Sequence, residues 1–568
     1  MKSDKLSYDP ISNKLIKANI LDLSINEVYP ANLVIEDGVF KQVIPISNKE
    51  ELDFEGILVP GFIDSHIHIE STLLTPSSFA EAVLPLGTCS VIADPHEIAN
   101  VLGVKGIQFM IDDGNEVPFD FYFMAPSSVP ATTFESSGAV VDEKDIANLL
   151  KKDEIIGLGE VMNFQGVINH ESSIIDKLKI AKSLNKPIDG HAPKLSGDDL
   201  KKYLNWDDDL ETCFISTCHE SSSFDEATQK KNLGMKIMVR EGSSAKNMED
   251  LLISTHPIFD FLVTDDISPE DLIKGHLNLL VRKAIELGVD EYEAIKMVTL
   301  NPAKHYNLNS GLIAKDKIAN FILVDNLIDL NVKKTFVHGK LVAENGKILF
   351  KINKSKIINN FHLTEKKPED FEINISSTGL DSVEVNVIEV LDGELITNKI
   401  QSRLAIENGI VKENLANDIL KLAVVERYGH GNIGNGFVKG FNLKDGAIAS
   451  NVAHDSHNII VVSTNSYYMA EAVNLIRESK GGLAIVSDTK KRILKLPVGG
   501  IMTNENIGKV VEEKLELNNL TESLGVNMKS PFMTLSFLAL LVTPSLKLSD
   551  KGLFDVDNFE FIDVFVKR

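Results

Sequence analysis

Cysteine and long apolar runs are both scarce in this chain. Only three cysteines occur among 568 residues, Cys89, Cys213 and Cys218. They are too few for a disulfide framework and lack the paired spacing of a zinc ribbon. The most hydrophobic stretch, residues 532–542, falls short of the roughly 20 residues that a spanning helix requires, and the polar amino terminus lacks the apolar core of a signal peptide. These absences predict a cytoplasmic protein.

Positive charge is also in the minority. Lys and Arg number 58 against 82 Asp and Glu, which gives a formal net charge of -24. A surface of this sign repels nucleic acid phosphates and anionic membranes. We therefore expect no nucleic acid or membrane partner, and a small neutral or cationic substrate. Because 43% of residues are hydrophobic, the chain also lacks the composition of a disordered protein.

What the sequence does contain is a repeated alternation of short apolar runs with longer amphipathic stretches. This pattern is typical of strand-helix units around a parallel sheet. Eight units would close a TIM-type (β/α)8 barrel, an α/β fold in which active sites lie at the carboxyl ends of the strands. The eight predicted strands are residues 57–63, 90–93, 119–124, 155–159, 187–189, 214–217, 236–239 and 259–264.

The sequence outside these strands indicates further domains, since 568 residues exceed what one core usually organises. Hairpin-like segments flank the barrel on both sides, the first with a turn signal at Asp37-Gly38. We expect one small β-domain built from residues 1–56 and 317–350 around a barrel at 57–316. A Lys- and Asn-rich connector at 351–372 then leads to a separate α+β domain at 373–568.

Metal-binding residue types follow the predicted strands. His66 and His68 end the first strand with both imidazoles on the same side, but two close histidines alone are weak evidence. The same position after later strands is taken by four more residues: Glu160, His191, His219 and Asp265. With only 14 histidines in the chain, chance does not readily place this set on one rim.

These residue types suit hydrolytic chemistry. Neutral imidazoles and carboxylates bind first-row divalent ions, and a carboxylate such as Glu160 can bridge two ions about 3.5–4 Å apart. Two cations that share one water acidify it strongly. Asp265 could bind one ion and accept the proton from the attacking water.

Several motifs resemble those of one known family. The run VPGFIDSHIH at 59–68 resembles the first-strand signature of the amidohydrolase superfamily. More specific are IEST at 69–72, DPHEIANV at 94–101, GHAP at 190–193, EGSSAK at 241–246 and TDD at 264–266. The third domain adds GAIAS at 446–450, AHDSHN at 453–458 and LPVGG at 496–500. Together they resemble the microbial adenine deaminases over nearly the whole chain.

This resemblance implies a reaction and a ligand set. It implies hydrolysis of adenine to hypoxanthine and ammonia in purine salvage, with a binuclear centre of manganese or iron. It implies six metal ligands, with Asp265 also the base: His66, His68, Glu160, His191, His219 and Asp265. Glu160 argues against dihydroorotases and ureases, which resemble this family but use a carboxylated lysine there. Asn320 replaces the usual Asp of the closing β-segment, which affects no catalytic role.

Other polar residues are candidates for substrate contact. Glu220 could protonate a ring nitrogen of adenine, or could instead orient His219. His96 and Glu97 could face the pocket, although an Asp-Pro-His-Glu run also reads as a helix start. Ser243 of the EGSSAK motif is a further candidate. His454 and His457 could belong to a lid, contact the pocket or bind an extra ion.

Two other functions remain open at this level. The first is another amidohydrolase acting on an amide or an N-acetyl substrate, such as a sugar phosphate, for which no obvious basic cluster is present. The second is a non-catalytic scaffold, which usually loses metal ligands, whereas this chain retains all six. No dinucleotide cofactor is expected, because no helix opens after the glycines at 429–434. We also expect a homo-oligomer, such as a dimer.

Overall fold

The strands and helices below come from a computed structural model that describes residues 14–47, 51–207, 215–243, 245–252, 259–375, 379–392 and 394–566. The first strands are β1 (Lys14–Asp22), β2 (Glu27–Glu36), β3 (Val39–Pro45), β4 (Ile57–Pro60), β5 (Phe62–Ile67), β6 (Thr88–Ala93), β7 (Asp120–Ala125) and β8 (Ile155–Val161). Next come β9 (Ile188–Gly190), β10 (Thr217–Cys218), β11 (Lys236–Arg240), β12 (Phe261–Val263), β13 (Phe321–Val324), β14 (Val332–Val337), β15 (Lys340–Glu344) and β16 (Lys347–Ile348).

Helices alternate with the strands in this part of the chain. They are α1 (Pro76–Val83), α2 (His96–Leu102), α3 (Val104–Gly114), α4 (Glu143–Leu149), α5 (Phe164–Ile168), α6 (Ser172–Ser183) and α7 (Gly197–Leu204). The series continues with α8 (Phe224–Asn232), α9 (Met248–Leu251), α10 (Pro269–Leu272), α11 (Leu277–Glu286), α12 (Glu291–Lys296) and α13 (Leu300–His305). Short 3-10 helices lie at Ile69–Thr72 and Leu84–Leu86.

Strands β5 to β12 form the predicted (β/α)8 barrel. Strands β5 to β9 pair in parallel in one sheet, and β10 to β12 pair in parallel in another. Parallel bridges between Ile188 and Ile215 and between Ile67 and Asp265 join the two sheets at both edges. The strand order therefore closes, and the carboxyl ends of all eight strands share one rim.

The predicted bounds of the first barrel strand were wrong. Residues 57–63 were expected as one strand, but Ile57–Pro60 pairs with β1 and β13, and the barrel strand starts at Phe62. At the break, a Cβ on Gly61 would lie 2.4 Å from the Sγ of Cys89. A continuous apolar run carries no periodicity that reveals such a division. The sixth strand is displaced to Thr217–Cys218, and Phe214 of its predicted range lies outside the described residues. The eighth strand, Phe261–Val263, lies within its predicted range but is shorter.

Both flanks of the barrel meet in one sheet, as predicted. Its eight strands follow the order β16-β15-β14-β13-β4-β1-β2-β3. Strands β2 and β3 form the expected hairpin, and Asp37 and Gly38 at its turn have φ of 52° and 76°. Both angles lie in the left-handed region that a tight hairpin turn of this kind requires. Buried side chains such as Phe40, Phe321 and Phe336 form the core of this sheet.

The chain divides into two compact units. The first comprises Met1–Pro95, Phe109–Ser127 and Asp142–Lys354, and the second comprises His96–Gln108, Ser128–Val141 and Ser355–Arg568. The second unit thus takes in two short segments that the sequence analysis placed within the barrel range. Among the described residues, no helix is both long and apolar enough for a membrane span.

The second unit contains the carboxyl-terminal strands and helices. These are β17 (Ser382–Val390), β18 (Thr397–Glu407), β19 (Ile410–Val411), β20 (Ile419–Val425), β21 (Ile433–Lys439), β22 (Ala447–Ser450), β23 (Ile459–Ser463), β24 (Gly482–Val486), β25 (Lys491–Lys495), β26 (Leu546–Ser549), β27 (Gly552–Asp555) and β28 (Glu560–Ile562). The helices are α14 (Ser466–Ser479), α15 (Ile507–Ser523) and α16 (Pro531–Phe537), with 3-10 helices at Pro368–Phe371 and Leu415–Asn417.

A nine-stranded sheet organises this unit. Its strand order is β19-β18-β17-β21-β20-β23-β22-β24-β25, and β26 to β28 form a separate three-stranded sheet. Helix α14 packs on the large sheet through Met469, Val473 and Ile476, which are buried among strand residues such as Val461. The unit is α+β, as predicted. The loop between β22 and β23 carries His454 and His457.

Candidate metal centre

The six predicted ligands lie on elements at the carboxyl ends of barrel strands. His66 is in β5 and His68 follows that strand, while Glu160 is the penultimate residue of β8. His191, His219 and Asp265 follow β9, β10 and β12. Five of the six are buried, and His191 is the most exposed, with 22% of its side chain accessible. The structure therefore brings the complete predicted set to one rim.

Glu160 lies at the centre of this set. Its Oε1 is 3.2 Å from Nε2 of His68, and its Oε2 is 2.7 Å from Nδ1 of His191. The same Oε2 is 3.3 Å from Nε2 of His219. One carboxylate thus faces imidazoles from three different strands, with one oxygen turned to each side.

Asp265 forms the other half of the cluster. Its Oδ1 is 3.1 Å from Nε2 of His68 and 3.6 Å from Nε2 of His66. Asp265 has a φ of 56°, a left-handed backbone conformation that is uncommon outside glycine. Its amide donates to the carbonyl of His66 over 3.0 Å, so the turn is fixed against the first barrel strand.

Hydrogen bonds from neighbouring residues fix the orientation of two of the predicted ligands. Nδ1 of His68 lies 3.0 Å from the carbonyl oxygen of Asp94; a carbonyl can only accept, so Nδ1 carries the proton and Nε2 is left to bind. The Asp94 carboxylate accepts a 2.9 Å hydrogen bond from the amide of Glu160. Gly159 makes this close approach possible, because a Cβ there would lie 2.1 Å from Oδ2 of Asp94. The Asp94 residue thus supports two predicted ligands at once.

Arg240 at the end of β11 links two carboxylates of the site. Its Nη1 donates to Oδ2 of Asp265 over 2.7 Å and also to Oε1 of Glu220. Its Nη2 donates to Oε2 of Glu220 over 3.2 Å. Glu220 Oε1 also lies 3.4 Å from Nε2 of His219. Arg240 was not among the predicted site residues, although it is a charged residue at the carboxyl end of the seventh barrel strand and so meets the criterion that selected the others.

Burial and neighbouring charges shift the pKa values of the cluster. Burial alone would raise the pKa values of Glu160 and Asp265, but the surrounding imidazoles and, for Asp265, the Arg240 guanidinium lower both well below their usual range. Burial would lower the pKa of His68, yet its contacts with Asp265 and Glu160 raise it well above its ordinary value. The ionised carboxylates thus favour protonated imidazoles in this buried cluster. Because metal ligands must lose their protons, a divalent cation competes with protons for the same nitrogen atoms.

The donor set fits a divalent metal ion. Nε2 of His66 is buried and makes no hydrogen bond within the part of the chain that the structure describes. Its pKa is lowered by burial and by the adjacent His219, which favours the neutral form that ligates metal. Three groups of potential ligand atoms lie within 4.8 Å of one another: His66, Glu160 and His219; His66, His68 and Asp265; His191, His219 and Glu220. Imidazole and carboxylate together suit first-row divalent ions.

The predicted substrate-contact residues fall into two groups. Ser243 lies in the loop after β11, where its Oγ donates to Asp271 over 2.7 Å and accepts from the amide of Ser268 over 2.8 Å. The other four residues belong to the second unit, where the structure brings them together: His96, Glu97, His454 and His457. Contact of any of these residues with substrate stays a prediction.

Comparison with known families gives two matches. A model described as the amidohydrolase family matches residues 57–342, which include all eight barrel strands. A second model, described as the adenine deaminase C-terminal domain, matches residues 394–560. The two matched segments lie in the order that the sequence motifs predicted.

Curated relatives cover nearly the whole chain. An adenine deaminase of Methanosphaera stadtmanae is 48% identical over 550 residues, covering 97% of this chain and 99% of the relative. An adenine deaminase of Methanothermobacter thermautotrophicus is 46% identical over 554 residues, covering 96% and 99%. Among solved structures, a D-hydantoinase from a Thermus species matches with a TM-score of 0.44 at 15% identity, covering 60% of this chain and 97% of that one.

Proposed function

This chain belongs to the adenine deaminase family of amidohydrolases, and from that membership we propose that it hydrolyses adenine to hypoxanthine and ammonia. The reaction replaces the amino group at C6 of the purine by the oxygen of one water molecule. The observation that carries the proposal is the position of Glu160. Its two carboxylate oxygens face His68 on one side and His191 and His219 on the other.

The six rim residues would hold divalent metal. His66, His68 and Asp265 form one group of donors, His191 and His219 form the other, and Glu160 lies between them. When bound there, divalent ions lower the pKa of water at the site, so that a nucleophile is available at neutral pH. A carboxylate with one oxygen turned to each donor group supports a binuclear centre.

The chain's own carboxylates would move the protons. Asp265 is held ionised beside Arg240, and it accepts the proton of the water that attacks C6 of adenine. Glu220 is more accessible than Glu160, with 14% of its side chain exposed, and its pKa is lowered chiefly by Arg240 against the effect of burial. Glu220 is therefore ionised in the resting site, where it would take up one proton of the water and pass it to a ring nitrogen of adenine. Asp265 would pass the other proton to the departing amino group, so that ammonia leaves and both carboxylates are ionised again. Arg240 fixes the orientation of both carboxylates.

The proposal also includes the identity of the metal ion and the oligomeric state. Imidazole and carboxylate donors without thiolate suit manganese(II) and iron(II), which we propose as the native ions. We also propose a homo-oligomer, such as a dimer. Metal analysis of protein purified without added metal, and sedimentation of the full chain, test these two points separately.

Product analysis tests the proposed reaction. Full-length protein is loaded with manganese(II), or anaerobically with iron(II), and incubated with adenine. We expect hypoxanthine and ammonia in equal amounts, with neither formed in the presence of excess chelator. No turnover with either ion would overturn the proposal. A parallel series of N-acetyl sugar phosphates and cyclic amides should give no comparable product, and preferential turnover of one of them would assign the site to another amidohydrolase reaction.

A further inference from the structure

Backbone hydrogen bonds hold one half of the proposed metal centre, which we call the first site. Its ligands are His66, His68 and Asp265. Ile67 and Asp265 form a parallel bridge where the barrel closes. The amide of Asp265 donates to the carbonyl of His66 over 3.0 Å, and the amide of His68 donates to the carbonyl of Asp265 over 3.4 Å. The ligands of the first site are therefore fixed to one another through the main chain.

The other half, which we call the second site, lies on much shorter strands. Its ligands are His191 and His219. Strand β9, which precedes His191, has three residues, and β10, which precedes His219, has two. Among the described residues these two strands share one isolated bridge, between Ile188 and Ile215, and they belong to different sheets. That bridge lies before both ligands in the chain, so side-chain contacts must set much of their relative position.

The hydroxyl of Tyr203, on α7, makes one such contact between the ends of β8 and β9. It accepts a hydrogen bond from the amide of His191 over 3.0 Å and donates one to the carbonyl of Val161 over 2.9 Å. Val161 directly follows Glu160, and the pairing of β8 with β9 shifts register between Leu158 and Val161. The Tyr203 side chain is fully buried. One hydroxyl thus fixes the backbone of His191 against the strand that carries Glu160.

The hydroxyl of Thr217 makes the corresponding contact between β9 and β10. It donates to Oδ1 of Asp189 over 2.9 Å and accepts from the amide of Gly190 over 3.3 Å. The Asp189 carboxylate is itself held by the hydroxyl of Tyr306, which lies 2.9 Å from both carboxylate oxygens. All three side chains are buried. Asp189 and Thr217 each stand two residues before a ligand of the second site, so this contact joins the two segments that carry those ligands.

We propose that Tyr203 and Thr217 are positioning residues for the ion of the second site, and that the first site does not depend on them. The inference rests on the binuclear centre proposed above. Each hydroxyl acts through the chain segment that carries His191 or His219. Hydrogen bonds that orient metal ligands tune metal affinity, and loss of one typically weakens binding about 10–100-fold.

Stepwise titration of metal-free, full-length protein with manganese(II) tests this inference without adenine. The variants Tyr203→Phe and Thr217→Val each remove one hydroxyl and nearly keep the shape of the side chain. We expect wild type to bind two ions. In each variant the affinity for one ion should fall about 10–100-fold, while the affinity for the other stays at the wild-type value. Thr217→Ser keeps a hydroxyl and should recover most of the lost affinity.

Two control variants remove hydroxyls of the sheet formed by the barrel flanks. Thr335→Val removes a hydroxyl that donates to the carbonyl of Leu84 over 2.7 Å, and Tyr29→Phe removes one that donates to Asp22 over 2.9 Å. Both controls should bind manganese as wild type does, whatever they lose in thermal stability. Equal weakening of both binding steps in Tyr203→Phe and Thr217→Val would show a general disturbance of the barrel and would overturn the inference.

Electron paramagnetic resonance of the manganese-loaded proteins supplies a signature that stability alone does not change. Two neighbouring manganese(II) ions are magnetically coupled, whereas one ion gives the signal of an isolated centre. At a manganese concentration that just fills both sites of wild type, Tyr203→Phe and Thr217→Val should give the isolated signal. Circular dichroism checks that both variants are folded, and if one fails to fold, the other decides against its control.

The outcomes separate this inference from the proposed reaction. Wild type that binds two ions without deaminating adenine would overturn the proposed reaction, while the comparison of variants would still decide the roles of Tyr203 and Thr217. Wild type that binds only one ion has no second site, which would overturn the inference whether or not adenine is deaminated. Titrations and coupled spectra that match wild type in both Tyr203→Phe and Thr217→Val would also overturn it.

Discussion

The guanidinium of Arg240 donates a 2.7 Å hydrogen bond to the carboxylate of Asp265, the residue that we propose as the base. This contact holds the pKa of Asp265 low against the opposing effect of burial. The variant Arg240→Gln should raise that pKa. Because the base must be ionised, activity is lost as the pH falls through its pKa, so the acidic limb of the kcat/KM profile should move to higher pH.

Two further variants separate this charge effect from a general disturbance. Arg240→Lys keeps a cation and should show a smaller displacement of the acidic limb, although it loses the paired geometry of the guanidinium. Arg282→Gln removes an arginine of the same unit that bonds Asn331, and should leave the profile unchanged. An Arg240→Gln profile that superposes on that of wild type would contradict the role assigned to the pair.

Glu220 should be needed for catalysis more than for metal binding. Removing a general acid-base group typically lowers a rate about 10²–10⁴-fold, so we expect a loss of this order in kcat for Glu220→Gln. Metal content should stay at the wild-type level, because Glu160 and the imidazoles remain. Elemental analysis alongside steady-state kinetics measures both quantities. Loss of metal with little change in kcat per bound metal would instead make Glu220 a positioning residue for His219.

Gly159 should be intolerant of even one methyl group. In Gly159→Ala the new Cβ would approach Oδ2 of Asp94 to 2.1 Å, so Asp94 must move and release the amide of Glu160. Loss of such a supporting contact typically weakens metal binding about 10–100-fold. Manganese titration of metal-free protein measures this change. The control is Gly436→Ala in strand β21, where the Cβ would meet Leu548 at an ordinary 3.6 Å and metal affinity should not change.

Lys547 in β26 should make stability depend on pH in the alkaline range. Burial lowers its pKa to about 7, and its Nζ donates to the carbonyls of Leu395 and Phe537. Between about pH 7 and pH 10 the unfolded chain binds a proton that the folded chain lacks, so this group's contribution to the free energy of unfolding rises with pH. Relative to Lys547→Met, wild type should therefore gain stability over this range.

The thermal unfolding midpoint of both proteins, measured at matched concentration and heating rate, checks this trend. A shift of one pKa unit corresponds to about 1.4 kcal/mol, so the expected gain amounts to a few kcal/mol between neutral pH and pH 10. Below pH 7 both states carry the proton, and the difference between wild type and variant should be constant. A difference that stays flat from pH 7 to pH 10 would show that Lys547 titrates normally in the folded protein.

The meeting of the six proposed ligands on one rim was predictable from the sequence because a parallel barrel imposes a simple rule. Carboxyl ends of all its strands meet on one rim, so polar residues that follow successive apolar runs are brought together. The rule placed Glu160 near both His68 and His219 even though the expected strand bounds were displaced by several residues. Errors in the predicted strand bounds do not affect this result, because the residues that follow each strand meet at the shared rim whatever the length of the strand.

Other features depended on contacts that no local pattern carries. The division at Gly61 follows from the proximity of Cys89, which lies on the next barrel strand. The hydrogen bond between Arg240 and Asp265 joins side chains at the ends of two strands, and secondary-structure propensity does not predict such pairs. The meeting of Glu97 with His454 joins residues 357 apart, and the motifs that contain them gave no sign that they share one unit. These contacts arise from tertiary packing alone.

The central claim is that the rim residues around Glu160 hold the metal that hydrolyses adenine. Its most direct test is paired measurement of bound manganese and adenine turnover in wild type, Glu160→Gln and the exposed control Glu286→Gln. We predict that Glu160→Gln loses both bound metal and hypoxanthine formation, while Glu286→Gln matches wild type in both. Full metal content with undiminished deamination in Glu160→Gln would contradict the account.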